Sequence, residues 1–317
     1  MYSDNNIKVN KEDLRIIFFG TPAFAVASLN SIIEAGYNVV AVVTAADKPA
    51  GRGMQLQMSA VKECALIHHL PVLQPANQKS PEFLETLKSF NANLQIVIAF
   101  RMMPEVVWSM PQLGTFNLHA SLLPQYRGAA PINWAIINGE EKTGVTTFFL
   151  KHEIDTGNIL LQEEVIINKI DNAGTLHDKL MLAGAKLVVK TLDAITDGAV
   201  LETEQKSHIY AKHAPKIFKP DCEITWNMSA SDTLNKVRGL SPYPGAFAFV
   251  KSVKMKILEA EVSDNVDLNA GEISTDGKTF LDVGCSTGAL RILKLQAEGK
   301  KVMGVAEYLR GHANALK

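Results

Sequence analysis

Three continuous apolar runs constrain this chain more than any other feature: LRIIFF (14–19), YNVVAVVT (37–44) and LQIVIA (94–99). Each is far too short to cross a bilayer and too apolar to leave one face in water, so each reads as a strand buried on both sides. The segments between them have helical patterning, at 23–35, near 59–68 and at 81–90, with a short strand around Val72. Strands that alternate with helices predict an α/β fold with a parallel-type sheet wound as in Rossmann-like proteins. Gly20-Thr21-Pro22 makes the first turn, but no G-x-G-x-x-G follows, so a dinucleotide site is not supported.

The stretch FNLHASLLPQYRG (116–128) carries the chemistry. Phe116, Leu118 and Ala120 alternate with Asn117, His119 and Ser121, so a strand here turns Asn117 and His119 to the same side. Pro124 ends the strand, Gly128 permits a turn, and a helix follows over about 130–138. The end of a central parallel strand is where α/β sheets bind ligands. There an Asn offers a neutral donor to a developing oxyanion, a His moves protons near neutrality, and a carboxylate can orient the His. A strand at 143–150 precedes HEIDTGNILL (152–161), a hairpin or loop holding Asp155 and Gly157. Asp155 is the best carboxylate candidate, although a lone turn Asp means little and a single buried His is commonly structural. No G-x-S-x-G elbow and no catalytic-cysteine context is present, which disfavours covalent catalysis.

A chain of 317 residues is long for one core. The pattern assigns 1–13 to a polar, disordered tail, 14–203 to a catalytic domain that ends in a long helix (174–197), 204–219 to a linker, and 220–313 to a smaller β-barrel of the OB type. Residues 1–205 hold 16 Lys and Arg against 21 Asp and Glu, whereas residues 206–317 hold 16 against 12. A basic second part suits a polyanionic partner, and two ordinarily solvated surfaces are the alternative. TAADKPAGRGMQLQ (44–57) reads as a mobile basic loop carrying Lys48 and Arg52, longer than an ordinary connection. LDVGCSTG (281–288) imitates a nucleotide-binding turn, but too little chain follows for a βαβ unit, so a hairpin is expected. Three dispersed cysteines fit a reducing cytoplasmic compartment and no zinc spacing. The apolar run 14–29 is broken by Gly20-Thr21-Pro22 and preceded by Glu12 and Asp13, against a signal sequence. No other run is long enough for a membrane span.

NLHASLLPQYRGAAPINWAI together with the later DTGNIL resembles the folate-dependent formyltransferases, and the resemblance runs from about Leu14 to Leu309. It implies Asn117, His119 and Asp155 as the catalytic set, Ser121, Leu122, Leu123 and Pro124 at the folate pocket, and 10-formyltetrahydrofolate as co-substrate without a metal. FGTPAFA, the DKPAGRG loop and the basic C-terminal part are similar to the members that act on initiator methionyl-tRNA. For those the resemblance implies that Lys48 and Arg52 reach the acceptor arm and that the barrel binds phosphates. The family commonly has an Ala-Tyr-Gly-type segment where this chain reads AFRMMPE (99–105), one residue shorter and with Arg101 in place of the Gly. Ala99 and Phe100 would border the folate pocket at that point. Two rivals stand beside this reading: a formyltransferase for a small amine (a glycinamide ribotide or an aminosugar nucleotide), and an RNA-binding protein with an inactive Rossmann-like domain. A monomer is the default.

Overall fold

The computed structural model describes residues 9–50, 55–206, 211–251, 253–264 and 267–312. In chain order the elements up to the long helix are β1 (Arg15–Gly20), α1 (Ala23–Glu34), β2 (Asn38–Val43), β3 (Lys48–Ala50), β4 (Gln55–Gln57), α2 (Ala60–Ile67), β5 (Val72–Leu73), α3 (Pro81–Ser89), β6 (Leu94–Ile98), α4 (Glu105–Trp108), β7 (Thr115–His119), β8 (Arg127–Gly128), α5 (Pro131–Ile137), β9 (Lys142–Phe149), β10 (Ile159–Ile166) and α6 (Ala173–Thr196). They are followed by β11 (His213–Ala214), α7 (Ala230–Leu240), β12 (Ala246–Val250), β13 (Val253–Ser263), β14 (Ile273–Thr275), β15 (Leu281–Gly284), β16 (Ala289–Ala297), β17 (Met303–Gly304) and α8 (Val305–His312).

Two compact units result: Met1–Arg127 with Gly144–Val165 and Asp178–His213, and Gly128–Thr143 with Ile166–His177 and Ala214–Lys317. The first is built on a seven-stranded sheet in the order β10-β9-β7-β6-β1-β2-β5. Strands β1, β2, β5, β6 and β7 pair in parallel. All of Ile16–Phe19 and all five residues of β6 are buried, as strands covered on both faces must be. Helix caps follow from local chemistry: Ser59 Oγ accepts from Lys62 N at 3.0 Å, and Ser80 Oγ accepts from Phe83 N at 3.4 Å with Pro81 in the first turn. At Gly20 an added Cβ would lie 2.8 Å from Ala25 Cβ and 3.2 Å from Ile98 O, so the turn from β1 into α1 has no room for a side chain.

The central strand differs from its expectation in one respect. β7 is parallel to β6 but antiparallel to β9, because the chain returns from α5 in the opposite direction. Within the segment read as a tail, Lys11–Asp13 form a 3₁₀ turn and Val9 N bonds Thr196 O at 3.1 Å.

The second unit holds an antiparallel sheet in the order β12-β13-β16-β15-β14, with β17 added on β16, and α7 packs against β13 and β16. Its core joins Val237, Leu240, Ile257, Val283, Leu290, Leu295 and Tyr308. Residues 128–143 belong to this unit because α5 packs on α7, where a Cβ at Gly239 would come within 2.5 Å of Ile137 Cγ1. The nucleotide-like LDVGCSTG is a hairpin: β15 and β16 pair antiparallel, and Cys285 N bonds Gly288 O at 2.9 Å. Its acid, Asp282, is fully buried and takes two hydrogen bonds from Arg291, at 2.8 and 2.9 Å, and one from Ser263 Oγ at 2.8 Å. No helix among the described residues is long and apolar enough to cross a membrane.

Candidate active site

The C-terminal edges of β1, β6 and β7 line up, since Gly20 pairs with Ile98 and Ile98 with Leu118. Ala99 comes one residue later beside the β6/β1 position where the strand order turns back, which is where open α/β sheets hold ligands, and His119 follows Leu118 on the adjoining strand. β7 is anchored from its apolar face: Leu118 is buried against α6 at Gly184, where an added Cβ would sit 2.6 Å from Leu118 Cδ2. Asn117 and His119 therefore project together from the other face. The half-buried Asn117 amide has no hydrogen bond among the described residues, so its N–H groups are available to a ligand.

His119 is held at both ring nitrogens. Nε2 lies 2.8 Å from the Tyr126 carbonyl, which can only accept, so Nε2 carries a proton and Nδ1 is the nitrogen whose protonation can change. Nδ1 faces Asp155 Oδ2 at 3.8 Å, an ion-pair separation longer than a hydrogen bond. Both side chains are largely enclosed, at 9% and 14% exposure, and the Phe148 ring meets the imidazole edge-on at 6.5 Å. Asp155 stands in a turn with φ +55°, a backbone region that Asp tolerates, between β9 and β10. The turn is closed by Phe149 N bonding Asn158 O at 3.0 Å, and Gly157 beneath it has no space for a Cβ, which would overlap Phe149 O.

The side chains of the loop 121–124 differ in exposure. Ser121 is fully buried and its hydroxyl donates to Gln125 O at 2.6 Å; Leu123 is buried, and only Leu122 and Pro124 are partly exposed. The loop is pinned by two residues that strand patterning did not single out. Thr146 Oγ1 donates to Ser121 O at 2.6 Å and accepts from Leu123 N at 3.2 Å, and Gln162 Nε2 donates to Thr146 Oγ1 and Leu123 O, each at 2.9 Å. Thr146 is one of three threonines in TGVTTFFL (143–150), and nothing in that pattern sets it apart from Thr143 or Thr147.

Ala99 is exposed with φ +48°, Phe100 packs edge-on to Phe19 at 5.6 Å, and Arg101 donates to Pro75 O. Arg101 is therefore turned to a neighbouring backbone segment. The expected mobile loop 44–57 contains an antiparallel pair, β3 with β4, on which Lys48 is exposed; Arg52 lies outside the described residues. Asp47 ties the base of this pair, accepting from Lys62 Nζ at 2.6 Å and Gln74 Nε2 at 2.8 Å. Those bonds hold its carboxyl below the usual carboxylate range. All three cysteine thiols are buried, and burial pushes each up, away from the thiolate a nucleophile needs.

In the second unit a cavity of 520 Å³ is lined by Phe218, Lys219, Tyr243, Phe247, Lys254 and Lys256 among others. Tyr243 and Phe218 are exposed, and Lys254 Nζ stands 4.4 Å above the Phe247 ring.

Known proteins match this chain over most of its length. Residues 14–192 match the family described as formyl transferase, and residues 216–313 match formyl transferase, C-terminal domain. The methionyl-tRNA formyltransferase of Bacteroides fragilis is 53% identical over 312 residues, covering 96% of this chain and 96% of its own length. That of Flavobacterium johnsoniae is 53% identical over 305 residues, covering 95% of this chain and 96% of its own. Among solved structures, an N-formyltransferase from Helicobacter canadensis in complex with folinic acid and dTDP-3-aminofucose superposes with a TM-score of 0.67 at 19% identity, covering 88% of this chain and 98% of that one. HypX from Aquifex aeolicus in complex with tetrahydrofolic acid gives 0.65 at 18%, covering 95% of this chain and 47% of that one. The two solved structures share the fold, and the full-length matches at half identity go further: the chain belongs to the formyl transferase family, in the group of the methionyl-tRNA formyltransferases.

Proposed function

We propose that this chain transfers the formyl group of 10-formyltetrahydrofolate to the α-amino group of initiator methionyl-tRNA, with Asn117, His119 and Asp155 at the reacting centre. The observation that carries the reading is the available Asn117 amide beside a His119–Asp155 pair at the C-terminal edge of the sheet. The near full-length identity to methionyl-tRNA formyltransferases supports the acceptor and favours it over a small amine. An intact constellation also speaks against an inactive RNA-binding protein.

The attacking group is a neutral amine. Free α-amino groups titrate near about 8, and an esterified aminoacyl group lower, so a strong base is unnecessary and positioning matters more than basicity. The amine nitrogen bonds to the formyl carbon, and Asn117 donates to the carbonyl oxygen as it gains charge. His119 takes up a proton at Nδ1, where the Asp155 carboxylate meets it. The bond from the formyl carbon to the folate nitrogen then breaks, and that nitrogen recovers a proton. Leu122, Pro124, Ala99 and Phe100 border the donor, with Ser121 and Leu123 shaping the loop from inside. Lys48 and Arg52 reach the acceptor arm of the tRNA. Lys219, Lys254 and Lys256 attract phosphates, with Phe218 and Tyr243 as apolar neighbours. The division of labour follows 14–203 for catalysis and 220–313 for tRNA.

The test is incubation with 10-formyltetrahydrofolate and charged initiator tRNA. Asn117→Ala and His119→Ala should each lower turnover by at least about 100-fold while tRNA binding persists. Undiminished activity in both variants, or formylation of an aminosugar nucleotide in preference to tRNA, sinks the assignment.

A further inference from the structure

We infer that Gln205 is a positioning residue for His119, joining the two backbone segments that hold the two nitrogens of its ring. This rests on the reading in which His119 and Asp155 act together. The connection can be followed bond by bond. His119 Nε2 donates to the Tyr126 carbonyl at 2.8 Å. The next residue, Arg127, donates from Nε at 3.1 Å and from a terminal guanidinium nitrogen at 2.6 Å to Gln205 Oε1. Gln205 Nε2 in turn donates to the carbonyls of Asp155 at 3.0 Å and Gly157 at 2.7 Å. Asp155 Oδ2 then faces His119 Nδ1, which closes a ring of contacts around the imidazole.

Three features make Gln205 more than a casual loop contact. It is 9% exposed, so its bonds are sheltered from competing water. Its amide is saturated, with both N–H groups and both oxygen lone pairs used. Turning the amide over would set nitrogen against guanidinium and oxygen against two carbonyls, so the network admits a single orientation. Gln205 also binds the carbonyl of Asp155 itself, in the turn where that residue sits at φ +55°, so it ties the backbone that carries the carboxylate. Sequence patterning placed Gln205 in a polar linker, where an uncharged side chain carries no signal.

The experiment compares wild type, Gln205→Ala, Gln205→Glu and His119→Ala in steady-state formylation, together with the ¹H–¹⁵N resonance of the His119 Nε2–H in ¹⁵N-histidine-labelled protein. Gln205→Glu keeps the acceptor for Arg127 but has no N–H for the carbonyls of Asp155 and Gly157. Both Gln205 variants should lower kcat on the order of 10- to 100-fold, with KM for donor and tRNA within about twofold, because the ring is displaced and the binding surfaces are not. The His119 resonance should shift or broaden in both. A kcat within about twofold of wild type with an unmoved resonance overturns the inference, as does a loss confined to KM. If Gln205→Ala does not fold, the Glu variant decides by the same criteria. If His119→Ala keeps full turnover, the functional reading has failed, and the resonance alone then decides whether Gln205 sets the ring.

Discussion

Replacing Thr146 by Val keeps the side-chain shape and removes one hydroxyl. That hydroxyl donates to Ser121 O and accepts from Leu123 N and Gln162 Nε2, so a single atom fixes both ends of the loop after β7. Thr146 is 0% exposed, and water does not reach the groups left behind. The Ser121 carbonyl and the Leu123 N–H each lose this partner at about 1–3 kcal/mol apiece. A methyl in place of the hydroxyl returns about 1 kcal/mol through apolar burial, which leaves a net loss of about 3 kcal/mol. Thr146→Ser is the control: it keeps the hydroxyl, gives up one methyl, and should cost about 1 kcal/mol. Urea denaturation of wild type and both variants measures the difference, with unchanged m-values confirming that the midpoints report stability. The Val variant should fall about 2 kcal/mol below the Ser variant. Its kcat should fall too, since the loop borders Asn117 and His119. A Val variant as stable as the Ser variant would refute the hub assigned to this hydroxyl.

Lys48→Ala and Arg52→Ala should raise KM for tRNA, leave kcat with saturating tRNA unchanged, and each reduce the salt dependence of tRNA binding by a slope of about 1; unchanged KM and slope would return the segment to an ordinary connection. Asp47 gives a pH prediction. Its carboxyl is lowered from 3.8 in the folded chain by Lys62 and Gln74, so the stabilisation is present above the unfolded value and lost as pH falls through the lower folded one. The Gln74 side-chain amide resonance should titrate with a midpoint below the unfolded-chain value of 3.8; a midpoint at or above that value contradicts the bond assignment.

Local rules made much of this fold readable. Runs such as 14–19 and 94–98 have no polar face to offer water, so they had to be buried strands. Gly20-Thr21-Pro22 marked a turn through backbone chemistry that neighbours supply. The alternation around Asn117 and His119 places both on one side of β7, since side-chain direction in a strand repeats every two residues. The direction of β9 and the packing of 128–143 on α7 were not readable, because strand direction and helix partners depend on where the chain returns.

The central stretch shows where that boundary falls. Sequence alone determined that 116–128 holds a strand bearing an amide and an imidazole, followed by a rigid turn, and its resemblance to known formyltransferases named Asp155 as their companion. Tertiary structure decided the rest: that Asp155, thirty-six residues from His119 in the chain, faces Nδ1 at 3.8 Å, that Nε2 belongs to Tyr126, that Ser121 turns inward, and that Thr146, Gln162 and Gln205 hold these pieces in place. Periodicity and propensity are properties of neighbours in the chain. Hydrogen bonds between distant segments are chosen by the packing of the whole sheet, and a Thr or a Gln shows in its own sequence context no sign of which carbonyl it will meet.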